Sequence, residues 1–217
     1  KGKISFEDLI FEDLNPKYLE QIDFELNNKN PKINKKEIEE FLNTLSYPIY
    51  FLDFETYHQP IPRYDGIRPY MQIPFQYSLH YIEKEDGELK HKEFLAEAGT
   101  DPRRELAERL IEDIPNNVCI LAYNKKYKKM VIKDLAETYS DLKEELLKIK
   151  ENIRDLMIPF KNRNYYAKEM QGSYSIKYVL PSLFPNCPEL DYLKLPVVHN
   201  GGEAMTVFAN LEKYPKE

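Results

Sequence analysis

The chain has 217 residues, 42% of them hydrophobic and 31% charged, which suits one domain with a sizeable core plus an appendage. Its net charge of −6 excludes a non-specific nucleic-acid coat, which would be basic, but leaves a nuclease open, because a carboxylate-lined metal site itself adds negative charge. No apolar stretch nears the ~20 residues of a membrane span, no signal-peptide pattern is present, and Cys119 and Cys187 lie too far apart for metal-ligand spacing, so a cytoplasmic protein without a membrane partner is the default expectation.

Residues 1 to 45 read as a helical lead-in or linker, acidic and broken at Asn15-Pro16 and Asn30-Pro31. A helix starting at Lys35 takes Asn34 as its N-cap, with Glu37 at the capping-box position. Tyr47-Pro48-Ile49-Tyr50-Phe51-Leu52 is an apolar, β-prone run leading into Asp53-Phe54-Glu55-Thr56. Residues 57–74, rich in Pro, Tyr and Arg, read as an ordered loop. Phe75 to Ile82 alternates as a strand does, Glu85-Asp86-Gly87 signals a turn, and Lys90 to Leu95 returns as the partner strand. Asp101-Pro102 opens a helix through Leu106, Leu110 and Ile111, with the proline at its first position, and Val118 to Ala122 reads as a buried strand. Helices follow from Lys125 to Thr138 and from Leu142 to Lys150, then a short strand near Ile153 to Met157. Gly172-Ser173 precedes a helix closed by Pro181, and Glu203 to Leu211 forms a last amphipathic helix. The order β-β-β-α-β-α over residues 46–217 predicts an α/β layered domain.

Asp53 and Glu55 stand two positions apart on the first of these strands, so both side chains project from one face. Like charges held that close call for a counter-charge, and a divalent cation with oxygen ligands is the usual one. The same tripeptide at Asp23-Phe24-Glu25 tests how specific the signal is. No apolar run precedes it, and Leu19, Ile22 and Leu26 recur at helical spacing, so those acids are expected on a solvated helix surface. The strand context is what gives Asp53 and Glu55 their weight.

Asp53-Phe54-Glu55-Thr56 resembles the first motif of the DnaQ-like (DEDD) 3′–5′ exonucleases, which have the ribonuclease H-like fold; Ala122-Tyr123-Asn124-Lys125-Lys126-Tyr127 resembles their second motif. Within that superfamily the chain resembles a bacterial family, domain of unknown function 2779, through residues 47–56, 68–70, 73–80 and 172–181. The resemblance implies a three-layer α/β domain with a mixed central sheet flanked by helices, acting on phosphodiester bonds in DNA or RNA. It implies Mg2+ or Mn2+ held by Asp53 and Glu55 as metal ligands and catalytic acids, and an upstream nuclease-related domain in the full-length protein. The sequence departs from the superfamily at two places. Lys128 stands where the second motif carries an acid, and nothing matches the third motif, a Tyr-Cys-x-x-Asp segment on a late helix. The expectation is that the sequence stops before that helix. The alternative is that His199 and Glu203 stand in for it, with a spacing one residue too short. In either case the cage is partial and the metal is weakly bound or absent. The implied function is an impaired metal-dependent exonuclease-like domain or, alternatively, a non-catalytic nucleic-acid-binding or scaffolding module.

Thr56, Asn124, Tyr127, Arg68 and Lys177 are the candidate substrate contacts. Asn124 is placed to bond a phosphate, a sugar or the Asp53 strand, or simply to turn the chain. Tyr127 is more often a core residue. Arg68, with Arg63, Tyr70 and Gln72 in the same loop, suits phosphates and stacked bases, or packs that loop. Lys177, near a helix start, suits a phosphate. Lys125, Lys126, Lys129 and Lys133 make a basic helix face, which is most often merely solvated. Lys128 is predicted to approach Asp53 and Glu55 and to replace a cation in part. Asp155 caps a helix or faces the site from the side.

Overall fold

A computed structural model describes residues 4–9, 13–190 and 201–211. In chain order its elements are α1 (Pro16–Leu26), β1 (Lys32–Ile33), α2 (Lys35–Leu42), β2 (Ile49–Tyr57), β3 (Ile73–Ile82), β4 (Lys90–Leu95), α3 (Arg103–Asp113), β5 (Cys119–Ala122), α4 (Lys125–Thr138), α5 (Lys143–Asn152), β6 (Ile153–Asp155), α6 (Ile158–Lys161), β7 (Tyr165–Tyr166), α7 (Ile176–Leu183) and α8 (Gly201–Asn210). Among the described residues, those before 45 group with 157–190 into one compact unit, and 45–156 group with 201–211 into another. No described helix is long and apolar enough to cross a membrane.

The unit containing β2 is an α/β fold around a mixed five-stranded sheet in the order β4-β3-β2-β5-β6, consistent with a three-layer domain. β2, β3 and β4 run antiparallel, whereas β5 is parallel to β2 and β6 to β5. The alternation along β2 assigns its two faces. Tyr50, Leu52 and Phe54 are buried in the main core with Leu106 and Leu110 of α3, Val131, Ile132 and Leu135 of α4, and Leu146 and Ile149 of α5. On the opposite face Ile49 and Phe51 cluster with Leu45, Cys119 and Leu121, and this face continues into Asp53 and Glu55. Asp53 lies opposite Ser78 of β3 and Glu55 opposite Gln76. A bulge between Glu55 and Thr56 breaks the alternation, so Thr56 and Tyr57 are both buried. Phe208 of α8 completes the core, its ring stacked on Phe75 at 4.0 Å.

Tyr77, wholly buried on β3, donates its hydroxyl to Asp113 Oδ2, and Lys92 Nζ reaches Oδ1 at 2.9 Å. Burial, then the bond to Asp113, pushes the Tyr77 hydroxyl pKa up, so it stays a donor at neutral pH. Tyr77→Phe leaves a buried carboxylate with one partner fewer. A loss of about 1–3 kcal/mol is expected in urea unfolding, and an unchanged midpoint would contradict this role for the hydroxyl.

In the other unit, Phe24, Tyr166, Ala167, Met170 and Val179 form the core, and β1 pairs antiparallel with β7. The residues expected to form a lead-in are therefore packed with a later segment. Asp23 lies on α1, bonded to Lys29 and Asn27, and the Lys29 bond above all holds its carboxyl below the usual range. The second Asp-x-Glu is thus a helix-surface group. Two expectations about helix ends need correction. Pro102 is the residue before α3, and Asp101 Oδ1 accepts from the first helical N–H, Arg103, at 3.2 Å. Pro181 lies inside α7 and does not close it. Helical bonding resumes beyond the proline, with Phe184 N–H donating to the Leu180 carbonyl at 3.0 Å, while Ser182 Oγ donates to the Val179 carbonyl at 2.8 Å.

Candidate functional site

The site lies where β2 and β5 reach the start of α4. β5 ends at Ala122, and the chain turns through Tyr123 and Asn124. Asn124 has φ +61°, a left-handed conformation that asparagine tolerates better than most residues. Its N–H donates to Asp155 Oδ1 at 3.0 Å, and the Leu156 N–H donates to the Ala122 carbonyl at 3.1 Å. Asp155, buried at the end of β6, therefore braces the turn that launches α4. The Asn124 side chain is exposed and makes no capping bond to the helix. Burial, with the Asp155 charge adding, pushes the Tyr123 hydroxyl pKa up.

The turn sets Tyr127 and Lys128 in the first turn of α4, against β2. Lys128 is 7% exposed, and its ammonium pairs with Asp53 Oδ1. Its other neighbours are the Phe54 carbonyl at 3.4 Å and the Tyr127 ring, whose centroid is 5.3 Å away. The Asp53 side chain keeps 63% of its surface in solvent. A buried cation is thus held by an exposed anion, and the two ends of the pair face different environments.

Behind this pair lies a polar cluster. Thr56 Oγ1 touches the Tyr127 hydroxyl, and Gln72 Oε1 accepts from Thr56 at 2.8 Å and from Tyr127 at 3.1 Å. Two hydroxyl protons serve three contacts, so the contacts share them. Gln72 Nε2 lies 3.2 Å from His58 Nδ1. Burial first, then the charges of Glu55 and Asp53, push the Tyr127 hydroxyl pKa up against the opposing bond from Thr56. Tyr127 is thus a neutral donor at physiological pH.

Glu55 reaches a different neighbour. A Cβ on Gly201 would lie 3.0 Å from Glu55 Oε2, so the carboxylate sits against the first residue of α8. Glycine permits that approach, and the positive end of the helix dipole favours an anion there. Glu203 follows in the first turn of α8, partly exposed.

The structure therefore gathers Asp53, Thr56, Tyr127 and Lys128 into one cluster, with Glu55 on the same face of β2 and Asn124 and Asp155 in the adjoining turn. Arg68 is exposed on its loop, and its charge acts on Asp134 of α4. Lys177 is exposed on α7, in the other unit. His199 lies outside the described residues. On the basic face of α4, Lys133 pairs with Glu137 at 3.2 Å, as a solvated helix surface does. The place of His58 beside Gln72 and the approach of Gly201 to Glu55 carried no signal in the sequence, because both are contacts between positions distant along the chain.

Among the described residues, no three His, Cys, Asp or Glu side chains gather as a metal site would require. Mg2+ takes six oxygen ligands and Mn2+ similarly favours oxygen. Asp53 and Glu55 supply few of these, and the Lys128 ammonium already engages one of them. Among the described residues, these groups do not make up the ligand set of a pair of divalent cations.

A family model described as Domain of unknown function (DUF2779) matches residues 50–175, from β2 to the residue before α7. No curated protein and no solved structure matches the chain.

Proposed function

The chain belongs to the DUF2779 family, and we propose that it is a nucleic-acid-binding module on a DnaQ-like, ribonuclease H-like fold, with the Lys128 ammonium standing where a catalytic cation would. The mixed sheet, with its acids on the central strand, agrees with that placement. The observation that carries the proposal is the ion pair of buried Lys128 with Asp53.

The chemistry follows from what an ammonium can do. It neutralises one carboxylate and donates hydrogen bonds. Unlike a divalent ion, it does not bind a water as a Lewis acid to generate hydroxide near neutral pH, and it does not bridge attacking and leaving oxygens. Thr56, Tyr127 and Gln72 remain as neutral polar groups beside the pair, suited to hydrogen-bonding a nucleotide. Metal-dependent exonuclease activity is the reading this displaces. The retained Asp53 and Glu55 favour that activity, and the cation on Asp53 weighs against it.

The test incubates the chain with labelled single-stranded DNA and RNA in Mg2+ and then in Mn2+, with Asp53→Ala beside it. Binding without release of nucleotides is expected from both proteins. Metal-dependent release that Asp53→Ala abolishes would overturn the proposal.

A further inference from the structure

The unit built on α1, α6, β7 and α7 has a cavity of its own, about 200 Å³ in volume. Lys17 and Tyr18 of α1, Lys161 at the end of α6, Arg163, Tyr166 of β7 and Tyr174 line it, and no acidic residue does. A chain of net charge −6 thus has a wall with three cations in one small cavity. Lys17 Nζ donates one hydrogen bond, to the Lys161 carbonyl at 2.9 Å, which leaves the ammonium donor capacity. Arg163 bonds Glu20 at 3.0 Å and lies over the Tyr166 ring, 4.1 Å from its centroid, which fixes its guanidinium.

Tyr166 supplies the second observation. It is 1% exposed, its hydroxyl nears the Gly172 backbone, and among the described residues it closes no hydrogen bond of ordinary geometry. Its buried hydroxyl adds a polar group to the wall that the three cations line. The wall is preformed. Gly172 has φ +76°, a left-handed conformation that favours glycine, and it packs directly against the Gln21 side chain of α1. Tyr18 and Tyr174 leave 60% and 43% of their surfaces open at the rim.

We propose that this cavity holds one nucleotide of a single strand, with its phosphate among Lys17, Lys161 and Arg163 and its base on Tyr18 or Tyr174. Cations beside open tyrosine faces are the chemistry that binds single strands without reading sequence. The volume lies below the ~300–1,000 Å³ of pockets for larger ligands, which suits a single nucleotide. The choice of nucleic acid as ligand rests on the function proposed above.

The test measures anisotropy of a short labelled single strand on the whole chain, with Lys17→Ala/Lys161→Ala, with Tyr174→Ala, and with Lys133→Ala as a control outside this unit. All four side chains are exposed, and circular dichroism confirms that each variant folds. The double lysine variant and Tyr174→Ala are each expected to bind about tenfold more weakly, with the control unchanged. The double variant also flattens the dependence of log K on log salt by up to about 0.7, the value for one phosphate contact. Strand binding that neither variant weakens overturns this site and leaves the nucleic-acid reading standing. If no strand binds, that reading falls, and quenching of tyrosine fluorescence by adenosine monophosphate judges the cavity alone. Quenching lost in the double variant supports the cavity, and no quenching overturns it. Preference for a phosphoserine peptide over both nucleic-acid probes also overturns the proposal.

Discussion

Lys128→Glu is expected to make the stability of this protein depend on a divalent metal. The wild-type ammonium is buried beside Asp53, with Glu55 on the same face of the strand. A glutamate at this position brings a third carboxylate to the pair. Without metal, desolvation and mutual repulsion then destabilise the fold. With Mn2+ at about a hundred times its dissociation constant, binding returns about 2.7 kcal/mol. Urea unfolding in a chelator and then in Mn2+ reads both effects. The variant should start below wild type and climb with metal, while wild type stays still. A variant that unfolds at the same midpoint with and without Mn2+ contradicts the assignment of this position. Lys128→Met serves as the control, since it removes the cation without adding an acid.

Asp53→Asn has the second large effect, and its sign is informative. In a carboxylate cluster awaiting a metal, removing one acid relieves repulsion and stabilises the protein. Here it deprives a buried ammonium of its Asp53 counter-charge, while the Phe54 carbonyl and the Tyr127 ring stay beside it. Breaking a fully buried pair costs about 3–5 kcal/mol. Asp53 is 63% exposed, so solvent screens the pair, and a loss of about 1–2 kcal/mol is expected by urea unfolding. A gain in stability would contradict the pairing. Lys128→Met, by contrast, leaves an exposed carboxylate that water solvates, and should cost little.

Local pattern and long-range contact account for what the sequence disclosed. β2 was readable because a β-prone apolar run, residues 47–52, leads into Asp53 and Glu55, whose two-residue spacing puts both on one face. The bounds of α4 follow its periodic Val131, Ile132 and Leu135, and the Lys128 approach to Asp53 was legible once the resemblance to an exonuclease motif suggested where an acid would be expected. The association of residues 157–190 with α1 was not readable. It rests on a small core that joins Phe24 to Tyr166, Met170 and Val179, on a two-residue strand pair and on single long-range bonds such as Arg163 to Glu20, and these pairings leave no periodic trace. Asp155 was ambiguous because its role depends on where β6 ends relative to the Asn124 turn, which strand pairing decides. The approach of Gly201 to Glu55 was likewise hidden, since a glycine before a helix signals a helix start and nothing about a carboxylate far back in the chain.

The measurement that bears most directly on the ion pair completes the cycle between positions 53 and 128. Asp53→Asn is compared in the wild-type and Lys128→Met backgrounds by urea unfolding. If Lys128 is the counter-charge of Asp53, the substitution costs about 1–2 kcal/mol in the first background and close to nothing in the second. An equal cost in both backgrounds would show that the two residues do not interact, and the cation-substitute account would fail.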